Sequence, residues 1–219
     1  MTNAETKLPP IELPPPAMEH TLSFNEAVAQ RRTIREIAAT PLTLAQLSHL
    51  LWVAFGVNRK VGPFGVTGRT AASASNSQEI DVYVALEDAT YLYDAVTHRL
   101  NPVAVGDMRL AAINPPQRAS LRSMAPVQLI YVADVHCLTH TTGFKEPGLH
   151  DPEIQKSYYF VDCGMIGGNV YLVAAAHGLA AWFHNCDKAT LTKSLALRPE
   201  QKVLFAQSVG WPAVAEARR

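Results

Sequence analysis

Three guanidinium groups and a hydroxyl fall within five residues at Arg31-Arg32-Thr33-Ile34-Arg35, in a chain whose formal net charge is zero. Guanidiniums grip phosphate oxygens bidentately, and a threonine hydroxyl adds a further donor. The chemistry open to such a stretch is the binding of an anion. The same residues also read as a solvated helix end, because basic side chains favour the negative pole of a helix dipole. Further on, Ala72-Ser73-Ala74-Ser75-Asn76-Ser77-Gln78-Glu79 sets short polar side chains among small ones, which would let the edge of a ligand come close. Taken alone, that segment is equally an ordinary polar turn before a strand. Phe183-His184-Asn185 contributes an aromatic ring and an imidazole that is either a pocket group or a structural one.

Other chemistries lack their required spacing. His136-Cys137 with His140, and His184 with Cys186, do not have the paired spacing of a structural zinc site, so no metal centre is expected. A G-x-G-x-x-G after a strand and a G-x-S-x-G elbow are both missing, which removes a Rossmann nicotinamide domain and the common hydrolase arrangement. Nineteen basic residues balance nineteen acidic ones, against a general nucleic-acid or membrane-surface role. Cys137, Cys163 and Cys186 are widely spaced, offer no disulfide framework and fit a reducing, cytoplasmic compartment. The N-terminus, with Glu5, Lys7 and its prolines, has no apolar core of a signal peptide. The most apolar run, 161–176, includes Asp162, Asn169 and three glycines and is too short to span a bilayer.

The elements that must position these residues follow from patterning. Residues 1–20, with prolines at 9, 10, 14, 15 and 16, read as an extended polyproline arm, either free in solvent or lying along a neighbouring subunit. Residues 21–219 form the domain. Ser23 and Glu26 make a capping box that opens a short helix, so the arginines fall at its end. Thr43 and Gln46 open a second helix with Leu42 and Leu47 as its staple. Leu44, Leu47, Leu51 and Phe55 form its buried stripe, and Gly56 ends it. A Gly-rich loop over 57–72 carries Arg59, Lys60 and Arg69. Strands are predicted at 80–86, 91–93, 100–103, 127–133, 179–183 and 202–209, and helices at 153–177 and 188–195. Asp107 is expected to cap a short helix before Asn114-Pro115-Pro116 interrupts the chain. Gly164, Gly167 and Gly168 suit close packing within the core or across a dimer. Interleaved helices, strands and hairpins make the class α+β with a central sheet. At 48% hydrophobic residues over 219, the chain builds one core, or a core completed by a second copy.

Three of these segments, in this order, resemble the flavin-dependent nitroreductase family. That family has an Arg-Arg/His-Ser-x-Arg/Lys segment ending its first helix, matched by residues 31–35. It has Pro-Ser-(Ser/Ala)-x-Asn-x-Gln before a central strand, matched by 72–78. Its long central helix is matched by Gly168-Asn169-Val170-Tyr171-Leu172, with Ala174, Ala175 and the Gly178-Leu179 exit. The resemblance covers roughly residues 21 to 212. The compact length and the Tyr91-Leu92-Tyr93-Asp94 hairpin look most like the thiazoline-oxidase-like subgroup.

The resemblance implies a homodimer with a mostly antiparallel sheet flanked by helices and two FMN molecules at the subunit interface. Arg31 and Thr33 would hold the FMN phosphate and ribityl chain, with Arg32 adding backbone and phosphate-side contacts. Arg35 would lie near N1 and O2 of the ring, where a cation stabilises the anionic reduced flavin. Ser73 and Asn76 would reach the flavin from the partner subunit. Phe183, His184 and Asn185 would lie over the ring with backbone amides near N5. Apart from the resemblance, the aromatic run Tyr158-Tyr159-Phe160 could line a substrate cleft. The implied reaction passes hydride from NAD(P)H through flavin N5 to a nitroaromatic, a quinone or a similar small-molecule acceptor. Two alternatives stay open: a flavin-dependent oxidase acting on an azoline-like substrate, and an FMN-binding protein without rapid turnover. Arg59, Lys60 and Arg69 could meet an NADPH 2′-phosphate or be surface charge. The chain departs from the family at Ala72 and Glu79, where prolines are usual. Arg218 and Arg219 come sooner than the family's basic C-terminal pair and read as a frayed tail.

Overall fold

Strands that are mostly buried on both faces assemble a seven-stranded, wholly antiparallel sheet, described in a computed structural model for residues 8–16, 22–141 and 150–213. Its strands are β1 (Ile11–Glu12), β4 (Ile80–Ala85), β5 (Ala89–Asp94), β6 (Arg99–Val105), β7 (Val127–Asp134), β8 (Ala180–His184) and β9 (Gln201–Gly210), in the order β1-β6-β5-β4-β7-β9-β8. A separate hairpin pairs β2 (Val57–Arg59) with β3 (Gly68–Arg69), inside the segment expected to be a plain loop. The helices are α1 (Phe24–Gln30), α2 (Leu44–Phe55), α3 (Pro115–Arg118), α4 (Val135–Thr139), α5 (Pro152–Ala176) and α6 (Lys188–Ser194). The architecture is the expected α+β class, with helices flanking an antiparallel sheet.

Every residue of β7 is buried, because both faces of the sheet are covered. Leu129 and Tyr131 face a core shared with α2 and α5, while Ile130 and Val132 face a smaller one built with α6. At 25 residues α5 has the length and hydropathy of a membrane-crossing helix, longer than the apolar run alone suggests. It is a core helix here: Ile166 and Val170 are fully buried, and Asn169 Nδ2 donates to the Val53 carbonyl at 3.1 Å, satisfying one of the open carbonyls that end α2. Gly167 lets α5 lie directly on β8, since a Cβ there would meet the Phe183 ring at 2.9 Å.

Both capping boxes form as predicted, at Ser23/Glu26 and Thr43/Gln46. The stripe of α2 is shifted, however. Leu44 is exposed in the first turn, and Leu47, Leu50, Leu51, Ala54 and Phe55 carry the burial. Asp107 caps no helix; its carboxylate instead takes the Arg109 guanidinium at 2.9 and 2.7 Å and closes a turn. Pro115 and Pro116 open α3 rather than interrupting the chain, because first-turn positions need no N–H donor.

The described part of the arm is held by its own chain. β1 pairs with β6 in the same chain, Leu13 is buried, and its N–H donates to the His98 carbonyl at 3.2 Å. Ser48 Oγ donates to the Pro14 carbonyl at 2.5 Å and lies 2.7 Å from His98 Nε2, while Tyr93 Oη lies 2.9 Å from His98 Nδ1. Burial pushes the His98 imidazole below its ordinary value, which suits this network to a neutral ring. Arg218 and Arg219 lie outside the described residues.

Candidate functional site

The arginine segment leaves α1 at Arg31, whose N–H closes the helix on the Ala27 carbonyl at 2.9 Å. The chain then runs extended along β8, with the Ile34 N–H donating to the Ala181 carbonyl at 3.0 Å. This brings Thr33 against α5, where its Oγ1 is 3.0 Å from Tyr171 Oη. Tyr171 Oη also accepts the Phe183 N–H at 2.9 Å. The Arg31 guanidinium stands 5.6 Å from the centre of the Tyr171 ring, within cation–π range. When Tyr171 donates to Thr33, the exposed Thr33 hydroxyl keeps its own hydrogen for an outside acceptor. Arg31, Thr33, Tyr171 and the β8 backbone thus make one surface with a cation and a hydroxyl aimed outward. Tyr171, which its sequence context marks only as a core aromatic, is the residue that joins them.

Arg35 goes elsewhere. It lines a cleft of about 210 Å³ with Ile37, Gln117, Ser120, Arg122 and Trp182. Its side chain is exposed. Arg122 spans 3.6 Å to Glu36 at the rim.

Ser73 and Asn76 belong to a second constellation. Ser73 Oγ accepts the Gln78 N–H at 3.0 Å; Asn76 Nδ2 donates to the Thr67 carbonyl at 3.2 Å, and its Oδ1 accepts from Gln78 Nε2 at 3.1 Å. Arg69 Nε donates to Gln78 Oε1 at 2.6 Å and its guanidinium lies 5.0 Å from the centre of the Phe55 ring. Arg69 is therefore committed to holding this turn, which takes it out of the group of cations that could meet a 2′-phosphate. Ser75, Asn76 and Gln78 all have positive φ, at 52°, 57° and 53°. Left-handed backbone costs non-glycine residues roughly 1–2 kcal/mol each, and such strain gathers where function holds it. The turn is fastened to α5 by Asp162 Oδ2, which accepts the Ala74 N–H at 2.8 Å.

Asp162 and Tyr171 are nine residues apart on α5, about 13 Å along the helix axis. The two constellations are thus separate surfaces on one helix. From its first turn to just past Asp162, α5 leaves Ile154, Tyr158, Val161 and Met165 exposed at helical spacing, and Gly164 faces open space. Phe24 and Val28 of α1 are exposed as well, at 71% and 49%.

Phe183-His184-Asn185 divides by strand alternation. The Phe183 ring packs on Tyr131 at 5.8 Å, and its amide is taken by Tyr171. His184 is buried on the other face, with Nε2 2.9 Å from Ser208 Oγ and Nδ1 2.8 Å from the Asn185 carbonyl; burial pushes its imidazole down to about 4. Its side chain lines no open surface, while Asn185 is exposed just beyond the strand. The cysteines offer no thiolate at neutral pH. Burial pushes Cys137 and Cys186 up to about 11, and Cys163 higher still.

Comparison with known proteins gives one consistent result. The model of the nitroreductase family matches residues 28–211. A solved structure of a candidate nitroreductase from Ralstonia eutropha JMP134 is 30% identical, with a TM-score of 0.81 over 94% of this chain and 90% of that one. A candidate nitroreductase of Methanocaldococcus jannaschii is 29% identical over 185 residues, 80% of each chain. A chain of the Escherichia coli microcin synthetase complex shares the fold at 18% identity, with a TM-score of 0.66 over 82% of this chain and 68% of that one.

Proposed function

This chain belongs to the nitroreductase family, and from that premise we propose that it is an FMN-dependent enzyme passing hydride from NAD(P)H to a small electron acceptor such as a nitroaromatic or quinone. The observation that carries the reading is the Arg31–Thr33–Tyr171 surface: a guanidinium over an aromatic ring, beside a hydroxyl braced from behind, at the edge of a strand. That donor set fits a phosphate, because it offers charge and directed hydrogen bonds without a buried carboxylate competing for them.

On this reading Arg31 and Thr33 bind the phosphate and ribityl end, with Arg32 beside them. Arg35 supplies positive charge on the ring side from the Trp182 cleft. The flavin, when bound, supplies the hydride chemistry at N5, so no side-chain nucleophile is needed. Phe183 N–H already has its acceptor in Tyr171. Asn185, beyond the end of β8, is the better candidate for a backbone amide at the ring. Protons reach the product from water.

A homodimer completes the site. The turn that carries Ser73 and Asn76 is fastened to α5 at Asp162, about 13 Å along the helix axis from Tyr171, which suits the two side chains to the flavin of the other subunit rather than their own. The exposed Ile154, Tyr158, Val161 and Met165 face supplies the apolar contact, and burying such side chains is worth about 25 cal/mol per Å².

The test is direct. The purified protein should carry, or take up, a chromophore with flavin absorbance, and NADH or NADPH should bleach it. A protein that stays colourless after incubation with FMN sinks the proposal. Flavin reduced by an azoline-like substrate but by neither nicotinamide reverses its direction.

A further inference from the structure

Two carboxylic side chains meet in dry protein beneath the 73–78 turn. Glu79 is 0% exposed and Asp162 is 3% exposed. Glu79 Oε2 accepts the Ser77 hydroxyl at 2.6 Å and Asp162 Oδ2 accepts the Ala74 N–H at 2.8 Å. The remaining Glu79 oxygen, Oε1, meets no N–H or O–H donor among the described residues. Both carboxyls are therefore held by the same short turn, Glu79 through Ser77 and Asp162 through Ala74, and each acts on the other's ionisation. Among the described residues, neither has an ion pair with a lysine or arginine.

Two negative charges cannot share such a place without a counter-charge, since burying even one unpaired carboxylate is severely unfavourable. A single proton solves both problems at once. Carried on Glu79 Oε1 and donated to Asp162, it removes one charge and gives the orphaned oxygen a partner.

We propose that Glu79 and Asp162 share one proton and form a latch that fastens the strained 73–78 turn to α5. Its opening would loosen the grip of Ser73 and Asn76. The latch is independent of any cofactor; only its effect on the flavin rests on the FMN reading above.

Burial and the neighbouring Asp162 push Glu79 up to about 8, and Asp162 is raised by burial as well. Cys163 on α5 and Cys137 on α4 face the pair as neutral thiols. Asp134 approaches from β7, its amide donating to the Glu79 carbonyl at 2.7 Å, and Asp81 lies two residues along β4. Burial holds Asp81 at about 6, so it is largely ionised when Glu79 is still an acid. Arg198 is spent on the Asp134 carboxylate, the two thiols bring no charge, and the negative charge of Asp81 favours keeping the proton.

The experiment combines infrared spectroscopy at pH 7 with unfolding and FMN titrations from pH 5 to 9. Wild-type protein should show the carbonyl band of a neutral carboxylic acid at pH 7, and Glu79→Gln should lose it. An acid whose folded value is raised gives stability that declines as pH climbs from its unfolded value through the folded one. Wild type should therefore lose stability up to about pH 8, and Glu79→Gln should flatten that decline. FMN affinity in wild type should fall about three- to tenfold between pH 7 and 9, within the tenfold per pH unit that one proton allows. Should Glu79→Gln not fold, Asp162→Asn serves as the second variant, and the acid band should then titrate at lower pH. Absence of an acid band in wild type at pH 7, or parallel stability curves for wild type and Glu79→Gln, overturns the latch. Failure to bind FMN at any pH, with band and stability as expected, overturns the flavin reading and leaves the shared proton standing.

Discussion

Tyr171 Oη lies 3.0 Å from Thr33 Oγ1, so a residue deep in the central helix sets the direction of a hydroxyl on the surface segment. The same oxygen holds the Phe183 amide at 2.9 Å. One phenol therefore braces both the proposed phosphate end and the strand edge where the ring would lie.

Tyr171→Phe removes that brace while keeping the ring. The half-buried Phe183 N–H loses its acceptor, a loss of about 1–3 kcal/mol. The expected result is a drop of that size in denaturant unfolding, with FMN bound about tenfold more weakly. If stability and affinity both match wild type, the phenol is not the joint described above.

Arg31 and Arg35 should fail differently. Hydrogen bonds to charged groups contribute about 1.5–3 kcal/mol, so Arg31→Ala should weaken FMN binding by about 10- to 100-fold. Arg35→Ala should leave most of that affinity and lower the flavin midpoint potential, because a cation near N1 favours the anionic reduced form. Isothermal titration and spectroelectrochemistry read the two effects separately. Equal loss of affinity in both variants would merge the two roles.

Met165→Glu places a charge at the C-terminal end of the exposed apolar face of α5. Sedimentation should show a monomer that keeps wild-type circular dichroism and has lost FMN. A dimer that survives the charge means that this face is not the interface.

His184 gives an acid-side signature. Its folded value is about 4 and its unfolded value about 6.5, so its contribution is complete above pH 6.5 and disappears as pH falls toward 4. The shift corresponds to about 3 kcal/mol. Unfolding measured at pH 7 and pH 4.5 should show a smaller loss in His184→Asn than in wild type. Identical losses would show that the ring is protonated without penalty.

Local signals carried the reading of the sequence furthest. Ser23 with Glu26 and Thr43 with Gln46 fix two helix starts through bonds spanning three residues, and both are present. Arg31 falls at a helix end because that start and the helix length leave it nowhere else. Long-range relations were not legible in the same way. Leu13 is held by the His98 carbonyl and Pro14 by Ser48, far along the chain, so composition alone leaves the arm either free or along a neighbouring subunit. Nothing near Arg35 reveals that residues 117–123 will fold over it beside Trp182. Glu79 stood out only as a departure from proline, and Asp162 only as a charge in an apolar run. Their meeting depends on how α5 crosses the start of β4.

The two rims of the sheet share a property that bears on the fate of the chain at high concentration. At one rim the outermost strand is the two residues of β1, flanked by Pro9, Pro10, Pro14, Pro15 and Pro16, which have no N–H to offer a foreign strand. At the other, Ile34 occupies the Ala181 carbonyl of β8 and Tyr171 occupies the Phe183 amide. Exposed ladder edges are templates for edge-to-edge aggregation. Through Ile34 the arginine segment thus covers part of the β8 edge as well as offering a candidate ligand grip, and changes that free it from β8 would bare ladder groups before they touch chemistry.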